Sequence, residues 1–313
     1  RIMVAGMEAA FHRVRPLDRR ALLLVVVLCL CWGLYQVSVK VASVEVSPLL
    51  QAGIRSIGSA LLVWCRLRGI PLFRRDGTLG VGLLAGIGFA VEFAFIYLGI
   101  AHTDVSRATL LIYLSPFVVA VGAHVLVPGD RLSRAKLMGL LAAFGGLVLV
   151  FSGGQAGHEA HLVGDVLCVL GAVAWGSVTL LIKVTKLAHI RAEKILFYQL
   201  AVSALLLPPL AFMLGEHLPT ALPSAVTLAA LAYQIVAVSF ASYIAWFWMI
   251  TQYAPSQLAS FTFLTPASSV LFGGLLLHEP VSRQIVLALL LIGGGIWLVN
   301  RGQMSEIRDQ KSS

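Results

Sequence analysis

Ten long apolar runs alternate with short polar loops along this chain of 313 residues. Each run is long enough to cross a hydrocarbon layer of about 30 Å as a helix that rises about 1.5 Å per residue. The loops are too short to form a soluble core, and they contain turn formers such as Pro128-Gly129-Asp130. The pattern predicts spans at residues 21–44, 49–67, 79–101, 106–127, 134–152, 162–186, 192–214, 225–250, 256–277 and 282–300.

Two of these runs carry a proline near the middle, at Pro116 and Pro266. A proline inside a helix removes one backbone hydrogen bond and usually kinks the helix. In lipid the freed carbonyl is costly unless protein or cavity water satisfies it, so both segments should face the bundle interior. We expect residues 111–119 and 261–269 to form kinked walls of a cavity, in which Pro116 and Pro266 serve bending or gating.

The chain consists of two similar halves of five spans each, and the matching residues keep their order in both. Because five is an odd number, the second half should enter the membrane from the opposite side, which makes the repeats inverted. Transporters built in this way bind their substrate near the membrane midplane, at the interface of the repeats. The matches are Trp32-Gly33 with Trp175-Gly176, Lys40 with Lys183, Asp130 with Glu279, Arg134 with Arg283, and Gly145-Gly146 with Gly294-Gly295.

Lysine and arginine residues lie almost entirely on one side of the predicted topology. With the amino terminus inside, the external loops hold only Arg107 and Arg283 of the 23 basic residues. This asymmetry predicts that both termini are cytoplasmic. We therefore expect an all-α membrane protein with ten transmembrane helices in two inverted repeats. Its parts would be a cytoplasmic tail over residues 1–20, one repeat over 21–152, the other over 162–300, and a cytoplasmic tail over 301–313.

The composition agrees with a polytopic membrane protein, because 59% of the residues are hydrophobic and only 12% are charged. A soluble domain has nearer a quarter of its residues charged. The net charge of +9 does not indicate nucleic-acid binding, because the basic residues are distributed among loops between the spans. The four cysteines have neither metal-ligand nor disulfide spacing, and no Walker motif is present. We therefore expect no metal, no cofactor and no drive by ATP.

The repeated motifs resemble those of the drug/metabolite transporter superfamily, specifically its ten-helix EamA type. The first repeat departs from the pattern, with Gly129-Asp130 where the second has His278-Glu279. The resemblance covers residues 20–301 and implies a multi-pass protein of the bacterial inner membrane that exports small metabolites, commonly amino acids. The chain also looks compatible with the YddG-type aromatic amino-acid exporters. The motifs are Trp32-Gly33 with Lys40, Gly164-Asp165 leading into Ala174-Trp175 and Lys183, Ser115-Pro116, Thr265-Pro266 and His278-Glu279-Pro280.

Glu92 is the only carboxylate deep within a predicted span. An ionisable group at such a depth is a functional hypothesis by default. Glu92 could contact a substrate amine or carry a coupled proton; the alternative is a structural ion pair with Arg55 or Lys40. Arg55 could hold a substrate carboxylate through two parallel hydrogen bonds, and the alternatives are the same ion pair or snorkelling to the outer interface.

Aromatic residues supply the other candidates for substrate binding. Trp32 and Trp175 lie near mid-span, where an indole could stack on an aromatic substrate or attract an ammonium group. Simple helix packing is the alternative. Tyr97 and Tyr113 would line the outer approach, although Tyr97 also fits an interfacial aromatic belt. A semi-polar stripe in the eighth span, which would line the cavity or join helices, consists of Ser239, Ser242, Tyr243 and Trp246.

These features predict a secondary transporter that works by alternating access around a midplane cavity. Its substrate would be a small zwitterion, most simply an amino acid and including aromatic ones, and the two-repeat bundle could work as a monomer in the bilayer. Exporters of cationic drugs, polyamines or nucleotide-sugar-like anions remain alternatives, as does a channel. An intramembrane enzyme is disfavoured, because the chain has neither a paired-acid motif nor His-x-x-Glu-His.

Overall fold

The computed structural model describes residues 17–67, 76–100, 102, 105–151, 162–278 and 284–312. Within these residues the chain is helical and forms no β-strand. Residues 1–16 of the predicted tail over residues 1–20, and the motif residues Glu279 and Pro280, lie outside the described residues. The helices are α1 Arg19–Ala42, α2 Pro48–Arg66, α3 Leu79–Ile100, α4 Val105–Ile112, α5 Ser115–Leu126, α6 Arg134–Phe151, α7 Leu162–Val184, α8 Ala192–Met213, α9 Ala225–Tyr233, a π-helix Gln234–Ser242, α10 Tyr243–Gln252, α11 Pro255–Phe261, α12 Leu264–Leu277 and α13 Gln284–Ser312.

The helices confirm the predicted all-α membrane fold. Within the described residues, nine helices are long and apolar enough to span a membrane, and α6, with 18 residues, occupies the position of the fifth predicted span. The helix α13 continues to Ser312 rather than ending near residue 300. This extension follows from the sequence after Gly302, which contains no proline and is rich in residues that favour helix. The cytoplasmic location of the termini stays a prediction.

Equivalent helices of the two halves pack antiparallel, as inverted repeats require. In the α6–α13 pair, Gly139 lies against Gly295, and Gly146 lies against Ala288 on the earlier part of α13. A Cβ atom on Gly139 would lie only 2.5 Å from the carbonyl oxygen of Gly295. Small residues at these positions therefore allow the two backbones to approach closely, which is how membrane helices associate without a hydrophobic driving force.

The first helix of each repeat packs against the third and fourth spans of the other repeat. In this way α1 contacts α9, the π-helix and α12, while α7 contacts α3, α4 and α5. The two repeats consequently interdigitate, and the interface between them runs through the middle of the bundle. Trp32 on α1 and Trp175 on α7 lie at this interface.

The spans that contain Pro116 and Pro266 are interrupted just before the proline, whereas α8 continues through Pro208 and Pro209 without a break. Turns at residues 113–114 and 262–263 separate α4 from α5 and α11 from α12. A proline ring clashes with the carbonyl four residues earlier, which for Pro266 belongs to Thr262 and places the break there. The carbonyl of Phe261 beside the break accepts a hydrogen bond from the Cys29 thiol at 3.2 Å. The two breaks meet through the rings of Tyr113 and Phe263, whose centroids are 6.2 Å apart.

The loops that follow the broken spans share one backbone feature. Gly129, with a φ of 86°, and His278, with a φ of 56°, both adopt the left-handed conformation. These positions are equivalent in the aligned repeats, so the departure of the first repeat from the His-Glu motif keeps the backbone geometry. Glycine adopts this conformation without strain, whereas histidine does so only uncommonly.

Asp130 joins the two repeats at the end of the bundle that is predicted to be cytoplasmic. One of its oxygens accepts a hydrogen bond from the Lys136 ammonium at 2.9 Å. The other accepts from the backbone N–H of Ser256 at 3.0 Å, and the Ser256 hydroxyl also donates to the carboxylate. Asp130 and Lys136 are 1% and 0% exposed. The carboxylate of the first repeat therefore caps α11 of the second.

A carboxylate lies at each end of α8. Asp76 accepts a hydrogen bond from the Lys194 ammonium at 2.6 Å. At the other end, Glu216 accepts hydrogen bonds from the Ser47 hydroxyl and the backbone N–H of Leu50, each at 2.7 Å. The hydrogen bond from Lys194, together with those from Thr78, holds the pKa of Asp76 well below its usual range.

Candidate substrate site

A cavity of about 100 Å³ lies at the interface of the repeats. Helices α1, α3, α7, α8 and α10 surround it, so both halves contribute to its wall. Its size is below the roughly 300–1,000 Å³ that is typical of small-molecule pockets. The lining residues are Trp32, Phe89, Glu92, Trp175, Val178, Thr179, Gln199, Tyr243, Trp246 and Phe247.

Three tryptophans form the aromatic centre of this cavity. The Trp246 ring lies edge-on to Trp32 at a centroid distance of 5.1 Å and tilted against Trp175 at 6.0 Å. The indole N–H of Trp32 donates a hydrogen bond to the Ser242 hydroxyl at 2.9 Å, which orients that ring. Trp246 thus connects the equivalent tryptophans of the two repeats, and together they offer a broad apolar surface.

The π-helix positions the residues that α10 contributes. Its first residue, Gln234, donates a hydrogen bond to the side chain of Gln51 on α2 at 2.9 Å, and the Ser59 hydroxyl of α2 donates to the carbonyl of Ile235, also at 2.9 Å. Ser242 at its end accepts from Trp32. π-Helical segments are rare and occur frequently at functional sites, because the wider turn shifts the register of the side chains that follow.

Two buried polar side chains line the cavity without protein partners for all their polar atoms. Glu92 is 5% exposed, and its Oε2 atom has no hydrogen-bond partner among the described residues. Gln199 is 0% exposed, and neither its amide oxygen nor its amide nitrogen has a partner there. A buried polar group without a partner costs about 1–3 kcal/mol. Such groups at a cavity wall are suited to bind a polar ligand or water inside it.

Arg55 lies next to the cavity in an aromatic enclosure and is 0% exposed. Its Nη1 atom donates a hydrogen bond to the Tyr35 hydroxyl at 2.7 Å. Its Cζ atom lies 4.7 Å from the ring centroid of Phe93 and 6.0 Å from that of Tyr243. Its Nε and Nη2 atoms have no hydrogen-bond partner among the described residues.

Arg55 and Glu92 do not form a direct ion pair, which was the structural alternative to a role in substrate binding. Both residues are described, and no nitrogen of Arg55 lies within 4.0 Å of a Glu92 oxygen, which is the distance limit for a salt bridge. Shared neighbours nevertheless connect them, because the Tyr243 ring lines the cavity with Glu92 and lies 6.0 Å from the Arg55 Cζ atom.

The structure brings together most of the residues predicted to bind substrate. Trp32, Glu92, Trp175, Tyr243 and Trp246 all line the cavity. Their shared cavity is compatible with the predicted role in substrate binding, which stays a prediction.

The remaining predicted residues lie elsewhere. Arg55 lies behind Tyr243, and Tyr97 stacks on Phe93 at a centroid distance of 6.3 Å. Tyr113 packs between the two helix breaks, and neither Pro116 nor Pro266 is among the cavity-lining residues. Their roles in an outer approach and in gating stay predictions.

Sequence reasoning missed several lining residues, above all Gln199 and Phe89. Gln199 is an isolated amide in an apolar span, so the argument that singled out Glu92 also applies to it. Phe89 and Phe93 follow a four-residue step on α3 beside Glu92, a spacing that places both rings on one helix face.

Comparison with known proteins agrees with this two-repeat architecture. The EamA-like transporter family matches residues 19–152 and again residues 162–301. The chain belongs to the EamA-like transporter family. It is therefore a multi-pass membrane transporter, and each repeat is one unit of the family.

Two relatives and one solved structure show which proteins this transporter is similar to. It is 25% identical over 286 residues to the uncharacterized transporter YoaV of Bacillus subtilis, covering 89% of this chain and 96% of the relative. It is 26% identical over 291 residues to a protein of Salmonella typhimurium named probable amino-acid metabolite efflux pump, covering 89% and 92%. A crystal structure with 20% sequence identity has a TM-score of 0.76 and covers 90% of this chain and 96% of its own, which shows the shared fold.

Proposed function

We propose that this EamA-like transporter exports amino acids, including aromatic ones, across the bacterial inner membrane. The observation that carries the proposal is the cavity that Trp32, Trp175 and Trp246 line together with the buried Glu92. An aromatic side chain would pack against the indole rings, and an ammonium group would pair with Glu92 and face the ring surfaces. The name of the Salmonella relative agrees with this substrate class.

Gln199 complements Glu92 in this arrangement. Its amide can donate and accept hydrogen bonds, so it can bind either polar end of an amino acid. Because both of its polar atoms are unpartnered within the described residues, substrate binding would satisfy them without breaking an existing contact. The amide would thereby favour a polar substrate over a purely apolar one.

Transport would follow alternating access of the two repeats. The cavity holds only about 100 Å³, so a substrate of amino-acid size enters after the surrounding helices separate. The breaks before Pro116 and Pro266 interrupt the backbone of one helix in each repeat and meet at the repeat interface. Bending at these breaks would open the cavity to one side while the other side stays closed.

Counterflow in proteoliposomes tests this function. Vesicles preloaded with unlabelled amino acid should accumulate the same labelled amino acid transiently, as a carrier requires, whereas a channel should show no counterflow. Phenylalanine, tyrosine, tryptophan, alanine and aspartate form a suitable panel. If no member of a complete amino-acid panel crosses faster than in protein-free vesicles, the proposed function is wrong.

Export of hydrophobic cations is the second candidate, because Glu92 is the one charged residue among those lining the cavity. A cation with an aromatic body would find the same indole surface and the same carboxylate. Amines that lack a carboxylate, added to the same vesicle panel, distinguish the two candidates. Transport of these amines without transport of any amino acid would favour the cation exporter.

A further inference from the structure

The Arg55 side chain uses one edge of its guanidinium group and leaves another unused. Nη1 donates to Tyr35, whereas Nε and Nη2 have no partner among the described residues. Nε and Nη2 together form the side edge of the planar group, from which two parallel N–H bonds can reach both oxygens of one carboxylate. Arg55 is fully buried, so bulk water does not satisfy this edge.

Glu92, like Arg55, has a buried polar atom without a hydrogen-bond partner among the described residues. This atom is Oε2, and no nitrogen of Arg55 lies within salt-bridge distance of the carboxylate. Opposite charges buried close together normally pair, because an unpaired charge in a low-dielectric interior is costly. The helices α2 and α3 that carry these residues instead hold the two groups apart.

A molecule that carries an ammonium and a carboxylate on the same carbon atom would satisfy both groups at once. We propose that Arg55 and Glu92 are the two poles of a receptor for α-amino acids, in which Arg55 binds the carboxylate through its Nε and Nη2 edge and Glu92 binds the ammonium. This inference rests on the proposed transport of amino acids and specifies which part of the substrate is required. An amine alone leaves the Arg55 edge unpaired, and a carboxylic acid alone leaves Glu92 unpaired.

Tyr243 contacts both the cavity that contains Glu92 and the surroundings of Arg55. Its ring lines the cavity and also lies 6.0 Å from the Arg55 Cζ atom. Movement of this ring would join the space around Arg55 to the cavity that contains Glu92. Tyr35 would keep the guanidinium oriented during this step, because its hydroxyl binds the Nη1 atom and not the edge that takes the substrate.

Competition with substrate analogues tests the two-pole receptor. The probes are phenylalanine, its decarboxylated analogue phenethylamine and its deaminated analogue 3-phenylpropionate, each competing with the best-transported labelled amino acid. For the wild-type protein, phenylalanine should compete at least about 10-fold more strongly than either analogue, since a hydrogen bond to a charged group contributes enough for that factor. Equal competition by phenethylamine or phenylpropionate would overturn the proposal.

Two variants of Arg55 and one control refine this test. Arg55→Gln should reduce the preference for phenylalanine over phenethylamine to about 1, while competition by phenethylamine itself stays within about threefold. Arg55→Lys keeps a charge but lacks the two-bond edge, so its preference should be intermediate. Arg301→Gln removes an exposed arginine that packs on Trp297 and should keep the wild-type preference.

The outcomes separate this inference from the proposed function. If the wild-type protein transports no amino acid, the proposed function itself is wrong. If it transports amino acids but Arg55→Gln retains the full preference over phenethylamine, the two-pole receptor is wrong and the proposed function stands. If Arg55→Gln is not monodisperse after purification, the wild-type comparison of the three analogues decides alone.

Discussion

Replacing Asp130 with alanine should strongly destabilise the protein, because this buried carboxylate joins the two repeats through an ion pair and a helix cap. The substitution removes the carboxylate that the buried Lys136 ammonium contacts and removes the acceptor for the backbone N–H and hydroxyl of Ser256. Removing one partner of a buried ion pair costs about 3–5 kcal/mol, and loss of a helix cap costs about 1 kcal/mol. Because the two effects overlap, we expect a loss of about 3–5 kcal/mol.

Unfolding in mixed micelles with increasing dodecyl sulfate, followed by circular dichroism, measures this loss. Lys136→Met should destabilise by a similar amount, because it leaves Asp130 buried without its ionic partner. The double variant Asp130→Ala/Lys136→Met should lose clearly less than the sum of the single variants, since neither charge then remains unpaired. Glu193→Gln is the matched control, because its partner Arg191 is 52% exposed and exposed pairs contribute about 0–1 kcal/mol.

A loss below about 1 kcal/mol for Asp130→Ala would refute this reasoning, as would strict additivity in the double variant. The first result would mean that water or another group compensates the buried ammonium. The second would mean that Asp130 and Lys136 act independently despite their distance of 2.9 Å.

Three further predictions concern an exposed ion pair, a helix contact and the carboxylate of the site. Asp76→Asn should lower the melting temperature at pH 7. Because the pKa of Asp76 is lowered in the folded protein, its contribution to stability is present above about pH 3.9 and is lost below it, so the difference from wild type should shrink there. A constant difference from pH 7 to pH 2 would contradict this. Gly139→Ala should destabilise the protein by about 1–3 kcal/mol, because the added Cβ would meet the Gly295 carbonyl. Gly145→Ala should be neutral or stabilising in the same unfolding assay, because a Cβ there would meet no neighbouring atom of the described residues within 4 Å. Equal effects would refute the close-packing argument. Glu92→Gln should reduce amino-acid counterflow at least about 10-fold by removing the anionic partner of the ammonium, and unchanged counterflow would exclude that role.

The positions of the membrane spans were predicted closely from the sequence. Where the helices differ from the predicted spans, the cause lies in the local sequence. The α4–α5 and α11–α12 breaks lie in the predicted spans because proline acts on the residues immediately before it. The last predicted span ends at residue 300, and α13 continues as helix to Ser312. Membrane thickness limits the length of an apolar run, but it does not stop a polar segment from continuing as helix.

The same reasoning predicted only some of the residues of the candidate site. Glu92, Trp32 and Trp175 stood out because charged or indole groups at mid-span are unusual, whereas Gln199 and Phe89 required knowledge of which helix faces meet. The π-helix was also not predicted, and it determines the register with which Ser242 meets Trp32. No local signal in the eighth span distinguished a cavity wall from a helix contact.

The sequence alone determined the membrane environment, the ten spans and the two repeats, because each depends on local composition and on the order of residues along the chain. Only the tertiary structure decided which side chains share the cavity, and that Arg55 and Glu92 lie near each other without pairing. The physical reason is that the rotation and spacing of membrane helices are set by packing between them. Contacts as close as that of Gly139 with Gly295 fix these positions, and no single span encodes its neighbour.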